Sequence, residues 1–130
     1  MSLKARYDPD NVAAIRAWFA ANAAEGWATC PITESGFARV SSNPRALPSP
    51  IGVESARGVL AALRGADGHR FLVDDVSIGD ADVPAMAGHR QVTDAHLLTL
   101  ARRQAVRVVT FDRGLRTLAE ERDVELLTVL

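Results

Sequence analysis

The chain has 130 residues, the size of a single domain, with 48% hydrophobic and 24% charged residues, the balance of an ordinary globular protein. Its formal net charge of −1 excludes a global basic field, so any nucleic-acid site must be a local patch. No apolar run approaches the roughly 18 residues of a membrane span, and the single cysteine, Cys30, permits no internal disulfide; a reducing cytoplasm is expected. In chain order, "NVAAIRAWFAANAAEG" carries Val12, Ile15, Trp18 and Phe19 at helical spacing, with Asp10 as N-cap and Gly26 as stop. "WATC" is a short strand. "PITESGFARVSSNPR" starts a helix at Pro31 and Thr33, with Ile32, Phe37 and Val40 as its packing face. "SSNPRALPSP" is an exposed turn region.

A second helix is predicted through "VESARGVLAALRG", with Val53, Val59, Leu60 and Leu63 on its apolar side. "HRFLVDDV" reads as a strand and "SIGDADVPAMAGHR" as a loop with at most a short helical turn. "TDAHLLTLARRQ" is a strong helix capped by Thr93, with Ala95, Leu97, Leu98, Leu100 and Ala101 facing the core. "VRVVTF" is a strand, "DRGLRTLAEERD" a last helix and "VELLTVL" a last strand. Helices alternating with short apolar strands imply an α/β fold with a mostly parallel sheet, because parallel neighbours need crossover connections. The whole chain reads as one domain, residues 1–130.

In such sheets ligands sit outside the carboxyl ends of the strands. Asp112 stands at one such end, directly after "VRVVTF". Glu34 and Asp94 stand in the first turns of two helices. Each has an ordinary structural explanation: acids in a first turn complement the helix dipole, and Asp112 could be a turn residue or cap. Taken together, three carboxylates suit a hard cation such as Mg²⁺ or Mn²⁺ and phosphodiester hydrolysis. His69, His89 and His96 are scattered and suggest no zinc site, and neither a nucleophile elbow nor a phosphate-binding glycine loop is present. Of 15 basic residues only Lys4 is lysine; Arg39, Arg45, Arg90 and Arg113, near the acids in sequence, could grip phosphates or simply be solvated. Trp18 and Trp27 read as core rather than as base-stacking platforms.

The stretches "WATCPITESGFARVSSNPR" and "HRQVTDAHLLTLARRQAVRVVTFDRGL", with the closing helix and strand, resemble the PIN-domain family, specifically the VapC-like ribonuclease toxins of type II toxin–antitoxin pairs. Glu34 matches the second acidic residue of that family, Asp94 the third and Asp112 the fourth. Thr110 matches the hydroxyl residue that accompanies the last acid. The resemblance implies a three-layer α/β/α sandwich and a Mg²⁺- or Mn²⁺-dependent endoribonuclease. It also implies a small antitoxin as partner, RNA as substrate and a homodimer, with Arg39, Arg90 and Arg113 as phosphate contacts. The family opens with a hydrophobic strand ending in its first acid, whereas this chain opens "MSLKARYDPDNVAAIRAWF". "YDPDN", with Asp8 and Asp10, resembles the loop that follows that strand. The first acidic ligand is therefore expected to be absent, and the first strand to be missing or substituted, by "SLKARY" or by a second copy. Because that strand is central in the family, its loss would expose an edge on each neighbour and remove one of four carboxylates. The alternative function is a non-catalytic PIN-like module that binds antitoxin or RNA without turnover.

Overall fold

The computed structural model describes residues 17–18, 20–45, 49–110, 115, 118–120 and 123–126, with 110 and 124–126 as backbone only. Every strand pairing among them is parallel, as expected for a PIN-like α/β fold: β1 (Trp27–Thr29) with β2 (His69–Phe71), and β3 (Val108–Thr110) with β4 (Val124–Leu126). The chain divides into two compact units at residues 73 and 74.

In the unit before that division, residues 20–22 are helical and tighten into a 3₁₀ turn at Ala23–Glu25. Gly26 ends it at φ 100°, its N–H donating to the Ala23 carbonyl, and β1 follows at once. Gly68, at φ 83°, starts β2 in the same way; an added Cβ there would meet the Ala23 carbonyl oxygen at 2.9 Å. Trp27 pairs with His69 and Thr29 with Phe71, and the Leu72 N–H extends the ladder to the Thr29 carbonyl. The helix α1 (Pro31–Ser41) starts where predicted. Pro31 supplies the first residue, and the Thr33 hydroxyl accepts the Cys30 N–H at 2.9 Å. Ile32, Phe37 and Val40 are half-buried. An Ile51 N–H to Ser41 carbonyl bond ties the start of the next segment back to the end of α1, and α2 (Val53–Arg64) packs against α1.

The packing face of α2 differs from the expected one. Ala56 is fully buried with Leu60 and Leu63 half-buried, but Val53 and Val59 are exposed. At 3.6 residues per turn both valines lie about 60° to either side of Ala56, at the flanks of the stripe. Strand β2 is also shorter than predicted. Past Leu72 the chain turns, with Val73 exposed and the Asp74 carboxylate accepting the Val76 N–H.

In the unit after the division, α3 (Val92–Arg103) supplies the core. Ala95, Leu97, Leu98, Leu100 and Ala101 are all buried, as the periodicity required. Leu98 and Ala101 pack with Val108 and Leu115, and Val106, Leu118 and Ala119 close over them. Thr93 is not the cap. A 3₁₀ turn, His89–Gln91, runs directly into α3, so Gln91 takes the cap position and Thr93 falls inside the first turn. The irregular segment before it is pinned to α3 by two side chains seven residues apart, on one helix face. His96 Nε2 lies 2.6 Å from Asp74, and Arg103 bonds Asp80 at 2.8 Å and Asp82 at 2.6 and 2.8 Å. Beyond β3, the Leu118 N–H donates to the Leu115 carbonyl and the Asp123 N–H to the Glu120 carbonyl. The rest of the predicted last helix, like Asp10 and "SLKARY", lies outside the described residues.

Candidate active site

Glu34 is positioned by the junction of β1 and α1. The strand ends at Thr29, Cys30 takes an extended conformation, and the helix starts at Pro31. This places Glu34 in the first turn, its N–H donating to the Cys30 carbonyl. Its side chain reaches back across the strand end, where the Thr29 hydroxyl donates to Oε2 at 2.6 Å. The same hydroxyl lies 2.8 Å from His69 Nε2. His69 stands on the same sheet face as Thr29, and its ring meets Trp27 edge-on at 4.5 Å. Among the described residues, Glu34 Oε1 makes no hydrogen bond. Glu34, Thr29 and His69 are all half-buried, so the carboxylate is held but not sealed off.

Asp94 is in the first turn of α3 and only 5% exposed, unusual burial for a carboxylate. Its place on the helix follows from the core pattern: Ala95 and Leu98 face inward, and Asp94 shares their side of the first turn. Acidic side chains are favourable at that end, where backbone N–H groups are free. Thr110 closes β3, and Asp112 and Arg113 lie outside the described residues, as do Asp8 and Asp10. Arg39 is exposed in the last turn of α1, Arg45 exposed in the following turn, and Arg90 exposed in the 3₁₀ turn before α3. Trp18 and Trp27 are half-buried. Among the described residues, no group of three His, Cys, Asp or Glu side chains is gathered around a common point.

Among the described residues, the ionisable groups displaced from their ordinary values are Asp80, Asp82, Arg102 and Arg103. Hydrogen bonds from Arg103 hold Asp80 and Asp82 below the usual 3.8, and the two carboxylates raise Arg103 in turn. The hydrogen bond to Asp123, at 2.8 Å, raises Arg102. These arginines are fasteners for the chain and are engaged with protein acids. Sequence reading missed them, along with Thr29 and His69. The run "DDVSIGDAD" carries a signal for the Arg103 clasp, but nothing in the sequence joins His69 to a residue forty positions earlier.

The PIN domain family model matches residues 3–121. The chain belongs to the PIN-domain family. Among its relatives are VapC proteins of Mycobacterium tuberculosis. Ribonuclease VapC38 (strain ATCC 25618 / H37Rv) is 66% identical over 121 residues, covering 91% of this chain and 86% of the relative. Ribonuclease VapC39 (strain CDC 1551 / Oshkosh) is 43% identical over 120 residues, covering 88% and 85%. Ribonuclease VapC44 of the same strain is 44% identical over 103 residues, covering 77% and 72%. The VapC-like character expected from the stretches around Glu34, Asp94 and Asp112 thus agrees with whole-chain similarity. In this PIN domain the expected acids at positions 34 and 94 both occupy first helical turns, and β1 and β3 run into the segments that carry Glu34 and Asp112.

Proposed function

We propose that this PIN domain is a VapC-type endoribonuclease, the toxin of a toxin–antitoxin pair, and that residues 1–130 form one such domain. The observation that carries this reading is the 66% identity to a ribonuclease across 91% of the chain. Glu34, Asp94 and Asp112 are its carboxylate ligands, with Thr110 as supporting hydroxyl. An all-oxygen donor set of this kind fits Mg²⁺ or Mn²⁺ rather than zinc. When bound, such an ion supplies charge neutralisation at the phosphodiester and activation of the attacking water. The chain's own residues do the rest: Glu34 and Asp94 present carboxylate oxygens from helix starts, and Arg39, Arg90 and Arg113 contact RNA phosphates and set the strand's register. A small antitoxin protein, a homodimeric state and a cytoplasmic location complete the proposal; among the described residues no helix is long and apolar enough to cross a membrane.

The test is cleavage of RNA by the full chain with Mg²⁺ or Mn²⁺, against Asp94→Asn. Metal-dependent cutting by the wild type and none by the variant is the expected result. A folded wild-type chain that binds RNA but never cuts it with either ion would replace this reading with the binding-module alternative.

A further inference from the structure

We propose that Thr29 and His69 form a hydrogen-bonded relay that positions Glu34, holding one carboxylate oxygen so that the other faces a cation. This rests on the nuclease reading above, since it gives Glu34 the task of a ligand. The proton count decides the direction of the relay. An ionised carboxylate only accepts, so the Thr29 hydroxyl must give its single proton to Glu34 Oε2, at 2.6 Å. That short distance is typical of an O–H bond to an anionic oxygen. The hydroxyl then has only lone pairs left for His69, 2.8 Å away, so His69 must donate from Nε2–H.

The relay is anchored at each end. His69 is held by parallel pairing with Trp27, by the edge-on Trp27 ring at 4.5 Å and by the close approach of Gly68 to the Ala23 carbonyl. Thr29 is fixed by its carbonyl, which accepts the Leu72 N–H at 2.8 Å. Glu34 is fixed through the Thr33-capped first turn of α1. With Oε2 engaged, Oε1 has no partner among the described residues and a defined direction. Groups of this type, one step behind a metal ligand, set its orientation and basicity. Thr29 and His69 are thus positioning residues, neither touching substrate.

The test uses the full chain with Mn²⁺ and four variants, each checked for folding by thermal unfolding. Thr29→Val and His69→Leu should lower the cleavage rate at saturating Mn²⁺ and RNA by roughly 10- to 100-fold. Thr29→Ser restores the hydroxyl, and His69→Gln restores a nitrogen donor at the same reach, so both should recover most of the loss. Long-range ¹H–¹⁵N spectra of the histidines give a readout independent of activity. His69 should be the Nε2–H tautomer in the wild type and in Thr29→Ser, and its signals should shift in Thr29→Val. An Nδ1–H tautomer, or folded Thr29→Val cutting at the wild-type rate, overturns the relay while leaving the nuclease reading intact. A wild type that cuts nothing yet shows the Nε2–H tautomer overturns the nuclease reading and leaves the hydrogen-bonded relay standing.

Discussion

Single residues decide how the strand starts are built and where Glu34 sits. Gly68 combines φ 83° with a carbonyl oxygen 2.9 Å from the place a Cβ would take. Alanine there meets both left-handed backbone strain and a backbone clash that no side-chain rotation relieves. Gly68→Ala should therefore destabilise the chain by about 1–3 kcal/mol, read as a lower urea midpoint with unchanged slope. Gly26, at φ 100°, carries the same backbone strain but has 3.5 Å of space to the Gly68 carbonyl oxygen, so its penalty comes from conformation alone. Glu34 and its first-turn placement were legible in "WATCPITE", because a proline and a capping threonine after a β-type run announce a helix start. Its partner His69 was not legible. A hydrogen bond across forty residues depends on which strands become neighbours, and local periodicity does not encode that.

At the scale of elements, α3 is the most predictable and the most consequential. All five apolar residues expected on its packing face are buried, together with Asp94 and Thr99, and Leu98 is fully buried against Ala101, Val108 and Leu115. Leu98→Ala should cost about 2–5 kcal/mol, the sum of lost burial and the cavity left behind, measured by chemical unfolding. Helix α2 shows the limit of the same reasoning: four apolar residues within a helical arc do not say which of them faces a neighbour. The segment before α3 was read only as loop, yet Arg103 organises it by gripping Asp80 and Asp82. Both acids sit below their ordinary 3.8, so the clasp contributes its full stability above that pH. The contribution is lost as pH falls through their lower folded-state values. Arg103→Gln should flatten stability against pH on the acid side of 3.8 while leaving the neutral-pH profile parallel to wild type, as acid titrations followed by circular dichroism would show. All these groups are solvated, so the effect should shrink with added salt.

For the molecule as a whole, the proposed ligands come from separate stretches of the chain, and ion binding should therefore report on the folded state rather than on a local segment. Saturating Mn²⁺ should raise the melting temperature. At a concentration about 100 times the dissociation constant the gain is about 2.7 kcal/mol. Asp94→Asn should lose most of that gain, and chelation should reverse it in the wild type. An equal shift in both proteins would remove Asp94 from the ligand set. The family match runs from residue 3 to residue 121, through both compact units, and extends over nearly the full chain in the VapC38 relative.

The parallel α/β class, the helix start at Pro31, the burial of the apolar residues of α3 and the family were determined by the sequence alone. Each depends on local periodicity, on capping residues, or on motifs whose residues are close in the chain. The tertiary structure alone decided which strands pair, that Val53 and Val59 stay outside, that α3 starts before Thr93, and that His69 meets Thr29 and Arg103 meets Asp80 and Asp82. Apart from the local start of α3, these are contacts between residues sixteen or more positions apart, or choices between surfaces that look equally apolar in one dimension. They are settled by the free energy of packing and hydrogen bonding once the chain has closed on itself.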